Sequence, residues 1–183
     1  MIAGKTSSRQ ALPAVVAPQR LQRSLPQAIP ASRLGTPIQL LRHRSGAPGL
    51  RLGLGPGLRP RGALSQLQAL FVNNGFWAAG RTVAGLRRML RGSEAVVSAW
   101  DGDRLVGFGR ATSDGAYRAV LWDVVVAQDV EGQGLGRRLV EALLEIPVVA
   151  NAERIYLMTT NSKGFYQRLN FREVMDQHLM RRQ

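Results

Sequence analysis

The chain has 183 residues, no cysteine, two histidines and a net charge of +13. That length holds one core-bearing domain with room for an extension. The lack of cysteine excludes disulfides, thiolate metal sites and a cysteine nucleophile, and a histidine complement of His43 and His178 alone disfavours histidine-rich metal centres and histidine triads, so no metal is expected.

The charge is unevenly placed. Residues 1–93 hold 14 of the 25 Lys+Arg and no acidic residue, whereas residues 94–183 hold the other 11 and all 12 Asp+Glu. The basicity therefore belongs to the N-terminal half, which makes it poor ground for nucleic-acid binding by the folded domain. Residues 1–60, rich in Pro, Gln and Arg and without sustained periodicity, read as a disordered basic extension. Arginine without acid suits a transit peptide, while the modest serine content equally suits a basic arm or an upstream start codon. The expected location is the cytoplasm, with the plastid stroma as the alternative. No apolar run approaches 18 residues, so no membrane span is expected.

A folded domain is expected over 61–183. ALSQLQALF (63–71) spaces Leu64, Leu67, Leu70 and Phe71 as one helical face, with NNG at 73–75 as its stop. TVAGLRRMLRGS reads as a second helix, its arginines on the solvated side. The period then changes to two: AVVSAW (95–100) and RLVGFGRATSD (104–114) form a hairpin across Asp-Gly, and YRAVLWDVVV (117–126) is a third strand with a doubly covered end. A helix GRRLVEALLEI follows and is ended or bent by Pro147. RIYLMTT (154–160) is a buried strand, NSKGFYQRL a short helix with Ser162 as N-cap, and FREV (171–174) a last strand. The order gives an α/β class, with a central mixed sheet flanked by helices.

EGQGLGRRLVEAL (131–143) carries the chemistry. Gly132, Gly134 and Gly136 admit a ligand to bare backbone where the first N–H groups of a helix lack internal partners and carry partial positive charge. A phosphate or pyrophosphate suits that site, and a tight turn is the plain alternative. Neither the P-loop string nor G-x-G-x-x-G is present, since Arg137 or Leu139 falls where the last glycine belongs.

GFGRATSDGAYRAVLWDVVVAQDVEGQGLGRRLVEALL, followed by NSKGFYQRLNF, resembles the GNAT family of acetyl-CoA-dependent N-acetyltransferases over about residues 62–175. Within that family it is similar to the plant and cyanobacterial arylalkylamine (serotonin-type) branch. The resemblance implies the acyl-CoA N-acyltransferase fold and transfer of acetyl to a small-molecule primary amine by direct attack in a ternary complex. It implies that the backbone of Val124, Val125 and Val126 pairs with the pantetheine arm. The N–H groups of Gly132, Gln133, Gly134, Leu135, Gly136 and Arg137 would hold the CoA pyrophosphate, and Asn161 would touch the cofactor from the far side. Arg137 and Arg138 either add charge there or form a solvated first turn. Tyr166 would protonate the departing thiolate, since a phenol of pKa ~10 can donate to a thiolate of pKa ~8.5 within hydrogen-bond reach; its alternative is a core aromatic.

Three positions depart from the family pattern. Glu131 replaces Arg or Gln beside the pyrophosphate. Asn170 replaces a glycine, with left-handed backbone still accessible to it. Val120 stands where a basic glutamate occurs in some members, which leaves the general base open. Asp123 is the candidate base, with a backbone-accepting Asp at a strand kink as its alternative; Asp114 reads better as a turn residue. Trp122, Trp77 and Phe76 form either an aromatic acceptor wall or ordinary packing. Rival readings are a protein lysine or N-terminal acetyltransferase, and a non-catalytic CoA- or nucleic-acid-binding protein. A homodimer is compatible with any of them.

Overall fold

The structure, a computed structural model, describes residues 37–43, 45–47, 62–75, 78 and 80–182. Its elements are β1 (Gln39–His43), α1 (Ala63–Asn74), α2 (Val83–Arg91), β2 (Ala95–Asp101), β3 (Arg104–Ser113), β4 (Arg118–Val126), α3 (Leu135–Leu144), α4 (Pro147–Ala150), β5 (Arg154–Leu157) and α5 (Lys163–Gln167). One sheet has the order β1-β2-β3-β4-β5, antiparallel throughout except for the parallel β4–β5 pair. The crossover between those two strands runs through α3 and α4, as parallel pairing requires.

Helices α1, α2 and α3 bury their periodic faces. Leu67, Leu70 and Phe71 of α1 and Leu86 and Leu90 of α2 cover one side of the sheet, with Phe71 edge-on to Phe108 of β3 at 5.5 Å. On α2, Thr82 caps the helix by accepting from the Gly85 N–H (3.1 Å), and Arg87, Arg88 and Arg91 are exposed, as expected. On the opposite side α3 buries Leu135, Leu139, Val140, Ala142 and Leu143. Its close approach depends on Gly107: a Cβ there would lie 2.9 Å from Leu139 Cδ1 and 3.1 Å from Ala99 Cβ.

The structure corrects several expectations. β1 lies inside the stretch read as extension and forms the sheet edge. It pairs with β2 from Gln39↔Trp100 to His43↔Val96, Arg42 pairs with Glu145, and Arg138 Nη2 donates to the Ile38 carbonyl at 3.1 Å. The domain's sheet therefore begins near Gln39 rather than after residue 60. α1 runs through Asn73 and Asn74, and Gly75 caps it in extended backbone (φ −136°) with its N–H on Phe71 O. Pro147 opens the new helix α4, where its missing N–H is harmless. β5 stops at Leu157. FREV is not a strand, because the Phe171 N–H closes onto Tyr166 O (3.1 Å) and its ring packs on Tyr166. Residues 1–36 and the expected Phe76–Trp77 wall lie outside the described residues. No helix among the described residues is long and apolar enough to cross a membrane.

Candidate active site

β4 and β5 pair only from Arg118↔Arg154 to Leu121↔Leu157, whereas β4 continues to Val126. Beyond Leu121 the edge of β4 facing away from β3 has no strand beside it among the described residues. The two strands part into a cleft of about 580 Å³ walled by Val124, Val125 and Val126, by the glycine loop, and by α5 through Phe165 and Tyr166. An unpaired strand edge in a cleft offers its backbone groups to an extended ligand, as a sheet edge does to an added strand.

At the cleft mouth, Gly132 (φ 76°) and Gly134 (φ 77°) turn the chain through left-handed backbone into α3. No acceptor among the described residues takes the N–H groups of Gly132, Gln133, Gly134, Leu135, Gly136 or Arg137; the first closing bond is Arg138 N–H to Gly134 O at 3.1 Å. Six consecutive donors thus stand at the positive end of a ten-residue helix, which makes an anion site. A Cβ at Gly136 would be in van der Waals contact with Phe165 Cζ at 3.4 Å, so a side chain larger than alanine there would crowd the cleft.

The loop is anchored from behind. Asn74 Oδ1 accepts from the Gln128 N–H (3.1 Å), and Arg104 grips Asp129 through two bonds of 2.7 and 2.5 Å. The Arg104 guanidinium holds the Asp129 carboxyl below the usual carboxylate range. Of the flanking charges, Arg137 lines the cleft while pairing with Glu141 (2.7 Å), Arg138 is engaged by Ile38, and Glu131 lines the cleft as an exposed side chain. Arg168 also lines it, a cation that the sequence reading passed over, although it falls three residues after Phe165 on the same turn of chain.

Tyr166 is half-buried, edge-on to Phe165 (4.9 Å) and Phe171 (5.8 Å), and lines the cleft. Burial pushes its phenol above the ordinary value, which keeps the proton in place at neutral pH. Asn170 takes left-handed backbone (φ 64°), so the turn after α5 survives without glycine. Asn161 is exposed and is not among the residues lining the cleft, nor is Gln133; the neighbouring Ser162 is.

Asp123 stands elsewhere. The β3–β4 register shifts between Arg110↔Trp122 and Phe108↔Val125, so Asp123 and Val124 together oppose Gly109 in a β-bulge. Asp123 has φ 54°, and its carboxylate, 7% exposed, receives Arg81 Nη1 on Oδ1 (3.0 Å) and Arg110 Nε on Oδ2 (2.6 Å). With both oxygens engaged by guanidiniums, the geometry does not favour Asp123 as the base. Beside it, Trp122 donates its indole N–H to Thr112 Oγ1 (2.8 Å) under the Arg110 guanidinium. Asp114 is a turn residue, as expected: its Oδ1 accepts from the N–H groups of Arg118, Ala116 and Tyr117, which lower its carboxyl.

The family model for GNAT acetyltransferases matches residues 66–171, and the chain belongs to that family. It is 35% identical over 120 residues to GCN5-related N-acetyltransferase 2, chloroplastic, of Arabidopsis thaliana, covering 61% of this chain and 44% of that protein. It is 38% identical over 91 residues to serotonin N-acetyltransferase 2, chloroplastic, of Oryza sativa subsp. japonica, covering 47% of this chain and 46% of that one. The chain thus spans less than half the length of either plant relative. The crystal structure of a Xanthomonas campestris pv. campestris protein assigned to the GNAT family superposes with a TM-score of 0.61 at 26% identity, over 81% of this chain and 95% of that one.

Proposed function

We propose that this protein is an acetyl-CoA-dependent N-acetyltransferase acting on a small-molecule primary amine. The observation that carries the reading is the run of N–H groups from Gly132 to Arg137 without an acceptor among the described residues, five of whose six residues line the same cleft as the unpaired β4 edge and Tyr166. Acetyl-CoA brings a reactive thioester, a pyrophosphate and an extended arm between them. The glycine loop fits the pyrophosphate by donor count and helix polarity. The edge at Val124–Val126 fits an extended amide-bearing arm. Tyr166, held as a neutral phenol, fits the task of delivering a proton to the departing sulfur. The amine arrives as an ammonium, gives up one proton to water in the open cleft, and its nitrogen then replaces sulfur on the acetyl carbon; the second proton, released as the amide forms, restores the one that Tyr166 passes to the departing sulfur. Strand N–H groups near the bulge stabilise charge on the carbonyl oxygen, and the cleft supplies orientation.

Among amines, we favour an arylalkylamine. The support is the rice relative's name and the placement of Trp122, a fixed aromatic one residue before the bulge. The test is thiol release from acetyl-CoA with a panel of tryptamine-like amines, aliphatic amines and lysine peptides. Trp122→Ala is expected to raise KM for tryptamine-like amines far more than for aliphatic ones; equal effects would remove the aromatic acceptor, and activity confined to lysine peptides would replace it with a protein acceptor. The names of both plant relatives favour the plastid over the cytoplasm as the place of action. A fluorescent fusion of the full chain that stays in the cytosol of leaf cells would reverse that preference.

A further inference from the structure

The Arg81–Asp123–Arg110 cluster lies outside the cleft wall and has no role in the steps above. It sits at the bulge between β3 and β4, directly before the Val124–Val126 edge that walls the cleft. Asp123 is a non-glycine residue in left-handed backbone, and such a conformation persists only where its surroundings impose it. Here the surroundings are two arginines from separate elements. Arg110, 14% exposed on β3, binds Oδ2 at 2.6 Å, and Arg81, just ahead of α2, binds Oδ1 at 3.0 Å. Arg110 also stacks on Trp122 (5.7 Å), and Arg81 on Phe71 (5.2 Å), which ties the bulge to the packed side of the sheet. Strand alternation would send Trp122 and Asp123 to opposite faces, yet the bulge puts both side chains on the α1/α2 side. Val124 falls on the α3 side, where its Cγ2 faces Gly109. The orientation of the whole Val124–Val126 edge therefore depends on that one turn.

We propose that Arg110 and Arg81 are positioning residues for acetyl transfer: through Asp123 they lock the β4 bulge and so aim the free edge of β4 at the thioester. The inference rests on the acetyltransferase reading. Asp123 then serves as the shared anchor of a backbone turn, and its carboxylate moves no proton.

Steady-state kinetics of full-chain variants test this. Asp123→Asn keeps access to left-handed backbone and can still accept from one arginine, so kcat is expected to fall about tenfold or less, with the acidic limb of its pH profile in place. Asp123→Val, β-branched and unable to accept, is expected to lose about a hundredfold, the scale of an ångström-sized misplacement. Arg110→Met follows Asp123→Val, and Arg110→Lys recovers part of the loss. Arg81→Met, with Arg110 still in place, is expected to stay folded at the assay temperature by circular dichroism and to lower kcat. KM for acetyl-CoA stays within about threefold throughout, because the glycine loop is anchored separately through Asn74 and Arg104. Asp123→Asn as inactive as Asp123→Val, with the acidic limb gone, would make Asp123 the base and overturn the proposal while leaving the acetyltransferase reading intact. Parental kcat in Arg81→Met and Arg110→Met would also overturn it. A parent chain that binds acetyl-CoA but acetylates no amine would remove both readings.

Discussion

At the scale of single residues, Tyr166 and His43 show burial acting on opposite kinds of group. Burial keeps the Tyr166 phenol protonated, the form a proton donor needs. Tyr166→Phe preserves the edge-on packing with Phe165 and Phe171 but removes the proton. It should lower kcat about a hundredfold or more and leave acetyl-CoA affinity unchanged in a binding titration. His43 bonds Ser98 Oγ through Nε2 (2.8 Å), Ser98 also receives the Trp100 indole N–H (2.8 Å), and burial lowers the imidazole to about 4. The unfolded chain, with a histidine near pKa ~6.5, binds that proton first as pH falls. The folded state is thus penalised progressively from about pH 6.5 down to about 4, and the contribution is whole above that window. Melting temperatures between pH 7 and 4 should fall less steeply for His43→Gln than for the parent; parallel curves would show that His43 is not what titrates.

At the scale of elements, the packing of α3 on the sheet sets where the glycine loop stands. Gly107→Val would force a branched side chain against Leu139 and the fixed Ala99 Cβ, and should destabilise the fold by about 1–3 kcal/mol in chemical denaturation. Parental stability would mean that α3 can shift outward freely. Helices α1, α2 and α3 and the β2–β3–β4 strands were legible in the sequence because their periods are carried by many apolar residues, and the loop because glycines must occupy its left-handed turns. β1 was not legible. QLLRH has no alternation, and its partner β2 lies some 50 residues on, so only the closed sheet shows the pairing. The bulge was legible only as the alternative of a strand kink at Asp123; the partners of its carboxylate, arginine side chains rather than backbone, were not. Its cause lies in Arg110 and Arg81, which are 13 and 42 residues from Asp123. FREV fails as a strand because Phe171 is used to close the turn after α5 rather than to extend the sheet.

At the scale of the whole molecule, the fold brings three stretches of chain to one cleft: the end of β4, the loop into α3, and α5. The same fold reaches back into the basic N-terminal half, since β1 is joined to α3 at both ends through Arg138 to Ile38 and Arg42 to Glu145. A chain lacking residues 1–36 should melt close to the full chain. A chain lacking residues 1–60 loses the β1 edge, exposes β2 and frees the α3 contacts, and should melt well below it. Equal melting of the two would mean that β1 is dispensable.

The central claim is that the glycines form a pyrophosphate cradle, and the direct test is calorimetric titration of acetyl-CoA into the full chain and into a Gly134→Val/Gly136→Val variant. Valine at 134 must enter left-handed backbone, and at 136 it meets Phe165, so the cradle closes while the core stays packed. Micromolar binding is expected for the parent and none for the variant, with circular dichroism confirming that both are folded. No binding by the parent, or equal binding by both, would contradict the claim.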